Sequence, residues 1–177
     1  MVNIAFDGFH VDYDCNADYA FRSFDSELDL ANIDVSCPIE KSVFHIIYSK
    51  AQVPIKNINI HDAEIDVIIH NMNNDIYIEN FNVWNVTGSL IMNFYQVENG
   101  NINGFTFENV TSSLLSIEES VFTFENGSVR NITDNQASSS LTSLSSTFTF
   151  NQVDLLDINL NRYSNLASIS SDSNVYF

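Results

Sequence analysis

The feature that most constrains this chain is a repeat of about 25 residues, present in two lanes. In the first lane a small polar residue, a β-branched apolar residue and a second polar residue recur. They stand at Asn32-Ile33-Asp34, Asn59-Ile60-His61, Asn85-Val86-Thr87, Asn109-Val110-Thr111, Asn131-Ile132-Thr133 and Asp157-Ile158-Asn159, and their central positions advance in steps of 27, 26, 24, 22 and 26. The second lane follows half a coil later through Ile47, Met72, Val97, Phe124, Phe150 and Phe177, in steps of 25, 25, 27, 26 and 27.

Within each repeat the local period is two, which marks strands. Phe105 and Phe107 alternate with Thr106 and Glu108, Phe122 and Phe124 with Thr123 and Glu125, and Phe148 and Phe150 with Thr149 and Asn151. Strands this short, joined by Asn, Ser and Gly corners, leave both backbone edges open if they stand alone. Winding the chain stacks each strand on its counterpart one coil away at roughly 4.8 Å, which pairs every interior edge. The expectation is an all-β fold, a right-handed parallel β-helix (β-solenoid) of about six coils of about 25 residues. A leucine-rich repeat and an ordinary β-sandwich are the alternatives. The first wants an Asn where Tyr163 follows Leu155, Ile158 and Leu160.

About two dozen asparagines supply the corners, since Asn tolerates left-handed dihedrals and its amide can bond to the next coil's Asn. Residues 28–177 carry the coils. Residues 1–27 are dense in aromatics (Phe6, Phe9, Tyr13, Tyr19, Phe21, Phe24) but only loosely periodic, which suits an irregular first coil or an N-terminal cap. The apolar lanes run on to the last residue, the second of them ending at Phe177, so the core cross-section at that end is expected to meet further polypeptide or another subunit.

The run Phe105-Thr106-Phe107-Glu108-Asn109-Val110-Thr111 resembles the coils of the pectin-lyase-like right-handed β-helix superfamily, particularly its repetitive surface proteins. That resemblance spans roughly residues 28 to 177. It implies surface display, adhesion or assembly for many relatives and polysaccharide cleavage for others.

Charge excludes one class of partner. With 6 basic against 23 acidic residues and a net charge of -17, the surface repels phosphate, so nucleic acid is not expected. No stretch is long and apolar enough for a membrane span, and the opening residues lack the basic stretch of a secretory leader.

Four Asn-X-Ser/Thr acceptors occur at Asn85, Asn109, Asn126 and Asn131, and three of them coincide with the first lane. Cys15 and Cys37 are separated by a step of 22, close to one coil, so they are either a disulfide between neighbouring turns or two buried thiols. Asp25, Glu27 and Asp29, and likewise Asp62, Glu64 and Asp66, alternate along strands. Such rows can hold calcium or serve glycoside hydrolysis, but solvated faces are the plainer reading. His61 and His70 flank the second row, whereas His10 and His45 stand isolated. Trp84, with Tyr77 and Tyr95 nearby, is the best candidate for a binding patch, for glycans or for a partner surface.

The six basic residues are scattered, which disfavours a lyase for anionic glycans. No catalytic residue, cofactor or metal is assigned. The sequence therefore points to a non-enzymatic, extracellular or cell-surface structural or adhesive glycoprotein module. It would assemble with protein subunits, homotypically and end to end. The competing reading is a carbohydrate-active enzyme, lyase or hydrolase, on the same scaffold.

Overall fold

The computed structural model describes residues 3–7, 10–11, 17–24, 27–36, 39–47, 53–72, 75–134, 141–160, 167–169 and 174–176. They form thirteen strands and no helix: β1 (Asn3–Asp7), β2 (His10–Val11), β3 (Ala17–Phe24), β4 (Glu27–Val35), β5 (Ile39–Ile47), β6 (Val53–Met72), β7 (Ile76–Tyr95), β8 (Gly100–Glu118), β9 (Val121–Asp134), β10 (Leu141–Leu144), β11 (Thr147–Leu160), β12 (Ala167–Ile169) and β13 (Asn174–Tyr176). Every strand pairing among them is parallel, and each joins a segment to its equivalent one coil away. The chain is a parallel β-helix.

Left-handed residues make the corners. Among the described residues, fourteen have positive φ: thirteen are not glycine, and the fourteenth is Gly104. They fall into three columns. The first holds Asn32, Asn57, Asn80, Gly104, Asn126 and Gln152, the second Asp62, Asn85, Asn109, Asn131 and Asp157, and the third Gln96, Glu119 and Ser145. Nine of the thirteen are Asn or Asp, whose short polar side chains ease a conformation that costs most L-residues about 1–2 kcal/mol. The first column advances in steps of 25, 23, 24, 22 and 26, so five turns separate Asn32 from Gln152.

One turn illustrates the cross-section. From the corner at Gln96 the chain runs along a first face (97–103) to Gly104, along a short second face (105–108) to Asn109, and along a third (110–118) to Glu119. Strands β6, β7, β8, β9 and β11 each run through the first two corners of their turn. For that reason the strands reach 20 residues in β6 and β7, longer than the short strands that the alternation suggests.

Apolar ladders fill the interior. Ile55, Ile78, Ile102, Phe124 and Phe150 stack on the first face. Ile60, Val83, Phe107, Val129 and Leu155 stack on the second, and Val86, Val110, Ile132 and Ile158 on the third. All but Phe150, Leu155 and Ile158 are buried, and those three pack against the core. Each buried rung stabilises the coil by roughly 1.5–3 kcal/mol.

These ladders correct both lanes. In the first, Val86, Val110, Ile132 and Ile158 share a column, but its preceding rung is Ala63. Ile60 belongs to the Val83 column and Ile33 to the column of Ile58 and Phe81. Asn32 and Asn85 are both corner residues, but of different corners, and Asn59 is not a corner at all. In the second lane Ile47 pairs with Met72, and Met72 with Tyr95, whereas Phe124 and Phe150 lie across the third corner in another ladder. Phe177 lies outside the described residues.

At the N-terminal end β1 and β2 stack on β4, and β3 on β5 with one irregularity between Ala17 and Tyr19. The described strands of this end thus pair in the same parallel manner as the later ones. Among the described residues, no helix is long and apolar enough to cross a membrane.

Candidate functional site on the second face

The outer side of the second face carries polar and aromatic groups in two neighbouring columns. One outward column contains Asp34, Asn59 and Asn82, and the neighbouring one His61, Trp84, Glu108, Arg130 and Leu156. Strand alternation sends Ile60 and Val83 into the core and so places His61 and Trp84 outside.

His61 is held on three sides. Its Nδ1 lies 2.8 Å from Asp62 Oδ2 and its Nε2 lies 3.4 Å from Asp34 Oδ1. Its ring stacks on Trp84, with centroids 4.4 Å apart and planes within 5°. Asp62 also accepts a bond from Asn85 Nδ2 at 2.9 Å. Hydrogen bonds from Asn85 and then His61 hold its carboxyl below the ordinary value of 3.8. The result is a ledge in which an imidazole lies between two carboxylates and against an indole.

The three aromatics grouped from sequence stand on three successive faces. Tyr77 is on the first face, where Lys56 Nζ stands 5.9 Å from its ring centroid. The corner at Asn80 separates it from Trp84, and the corner at Asn85 separates Trp84 from Tyr95 on the third face.

The four sequon asparagines are exposed corner residues with φ of 51–54°. Asn109 Nδ2 donates to Asn85 Oδ1 at 3.2 Å, and Asn131 Nδ2 to Asn109 Oδ1 at 2.9 Å. At the first corner, Asn126 Nδ2 donates to Asn103 Oδ1 at 2.8 Å. Thr87, Thr111 and Thr133 form the accompanying outward ladder. Asn-X-Thr is thus also what this corner demands: a left-handed Asn, an inward β-branched residue, then an outward Thr.

The acidic row Asp62, Glu64 and Asp66 is exposed, and the corner at Asp62 bends it. Among the described residues, no group of three or more His, Cys, Asp or Glu is placed to hold a metal ion. Cys15 and Cys37, like Asp25, lie outside the described residues, as do the side chains of Glu27 and His10.

Two arrangements escape pattern reading. Buried Ser120 accepts from Val97 N at 2.9 Å and donates to Glu118 O at 2.7 Å, while Ser146 Oγ accepts from Ser120 N at 3.0 Å. These hydroxyls satisfy backbone groups at the third corner. His45 is not isolated either, because it stacks on His70, one coil further along, at 4.9 Å. Period counting applied to the histidines would have found that pair.

Comparison with known proteins found no matching family, no matching curated protein and no matching solved structure.

Proposed function

We propose that this chain is a non-enzymatic structural or adhesive module of an extracellular or cell-surface glycoprotein, one that assembles with other subunits into a filament, coat or surface structure. The observation that supports this reading is the repetition of one corner device, a left-handed residue on turn after turn, with side-chain amides bonded from coil to coil. Asn57 donates to Asn32 and Asn80 to Asn57, both at 2.9 Å, as Asn109 does to Asn85. Residue choice at these positions serves stacking regularity, and stacking makes a stiff, elongated body with periodic outer faces. Its resemblance to repetitive surface members of the pectin-lyase-like superfamily supports the same reading, as does a net charge of -17, which keeps such a body soluble.

The Trp84–His61 ledge is the contact point on this reading, toward a subunit or a glycan. Sedimentation of the full chain over a range of concentrations, with electron microscopy of the same samples, tests the proposal. Elongated, concentration-dependent assemblies are expected, weakened by Trp84→Ala. A chain that stays monomeric throughout and cleaves a neutral or acidic glycan would replace this reading with the enzyme alternative.

A further inference from the structure

The third face brings three basic side chains into one file. Arg22 on β3 is in register with His45 on β5, which is in register with His70 on β6. Asn93 on β7 follows in the same column, so among the described residues the file of titratable and charged groups ends there. Asp18 and Asp66 stand four positions before Arg22 and His70 on their own strands, both exposed. The two imidazoles are stacked, 4.9 Å between centroids and 23° between planes, and both are partly buried over the core at Phe44 and Ile69.

We propose that the Arg22–His45–His70 file is an acid-sensitive seam: protonation puts like charges on three consecutive rungs and loosens the coils built from β3, β5 and β6, while the coils from β7 onward stay closed. Burial, then His70, then Arg22 hold His45 down to about 4, and burial lowers His70 from 6.5. Both rings are neutral in the folded protein at neutral pH. The unfolded segment takes up its protons first as pH falls below 6.5, so the stability of the seam is complete above that value and drains as pH drops toward about 4. General electrostatics act in the opposite sense here. On a chain of net charge -17, added protons relieve self-repulsion, which makes a local loss in this window specific to the seam.

Amide hydrogen exchange of the full chain, corrected for the intrinsic pH dependence, tests this at pH 7 and pH 5. Protection in 39–47 and 65–72 is expected to fall about tenfold in the wild type, with 100–132 unchanged. His45→Gln with His70→Gln should abolish the difference. Equal protection at both pH values in the wild type, or the same loss in the double variant, overturns the proposal. Should that variant not fold, the ring-proton titration of the wild type decides: midpoints of both histidines at or above 6.5 overturn it, and midpoints below support it.

Discussion

Gly100 lies in register with Phe122, and a Cβ built on it would stand 2.3 Å from the Phe122 ring. Gly127 stands in the same relation to Phe105, at 2.1 Å. Both glycines occupy inward positions, one in the ladder Ile76, Gly100, Phe122, Phe148 and the other in Phe81, Phe105, Gly127, Val153. Each missing side chain leaves room for a neighbouring ring. Gly100→Ala and Gly127→Ala are therefore expected to destabilise the fold by about 1–3 kcal/mol each in urea titration. Adding Phe122→Leu to Gly100→Ala should recover part of the loss, because the two sites share one volume.

Corner residues are expected to rank by backbone tolerance. Asn109→Gly keeps the left-handed conformation and loses the amide bonds to Asn85 and Asn131, about 1 kcal/mol. Asn109→Val adds a left-handed penalty of about 1–2 kcal/mol to the same loss. Denaturant midpoints that place Val above Gly would contradict the role assigned to the corner.

Ser120→Ala leaves the N–H of buried Val97 without its acceptor. An unsatisfied buried donor costs about 1–3 kcal/mol, so this one-atom change should match a sizeable core truncation in thermal unfolding.

Asp62 should titrate below 3.8, because its neighbours bond the charged form. With a lowered folded value, its contribution is present above 3.8 and disappears as pH falls through the folded midpoint. Carbon-detected NMR of the side chain checks this, and Asn85→Ala should move the midpoint upward.

Sugar occupancy follows from rung spacing. Asn85, Asn109 and Asn131 occupy consecutive turns, roughly 4.8 Å apart, too close for branched glycans on all three. Chain secreted from a eukaryotic host is expected to carry at most alternate occupancy on that corner, read as intact mass before and after deglycosylation. Three glycans on this ladder would mean that the amide bonds between rungs are not kept.

Much of the fold was readable because a solenoid writes its cross-section into the sequence on every turn. The Phe-Thr-Phe alternations of 105–107, 122–124 and 148–150 announced strands with one wet face, and the Asn-Val-Thr recurrences announced a coil length close to the spacing of the observed corners. Registration was less readable. Ile33 and Ile60 carry the same local wording as Val86 yet stand in other columns, because inward Ile, Val and Phe are interchangeable along a strand and corners shift by a few positions between turns. Corners were hard to read for a related reason: Tyr77, Trp84 and Tyr95 are near in sequence, but left-handed residues at Asn80 and Asn85 turn the chain between them.

The sequence by itself determined that the chain coils, that Asn-rich corners alternate with apolar strands, and that the surface is strongly acidic, since periodicity and composition are local properties. Only the tertiary structure decided which rungs meet. Pairing Gly100 with Phe122, His45 with His70 and His61 with Trp84 depends on the length of every intervening turn, and a one-residue change in any of them would bring different side chains together.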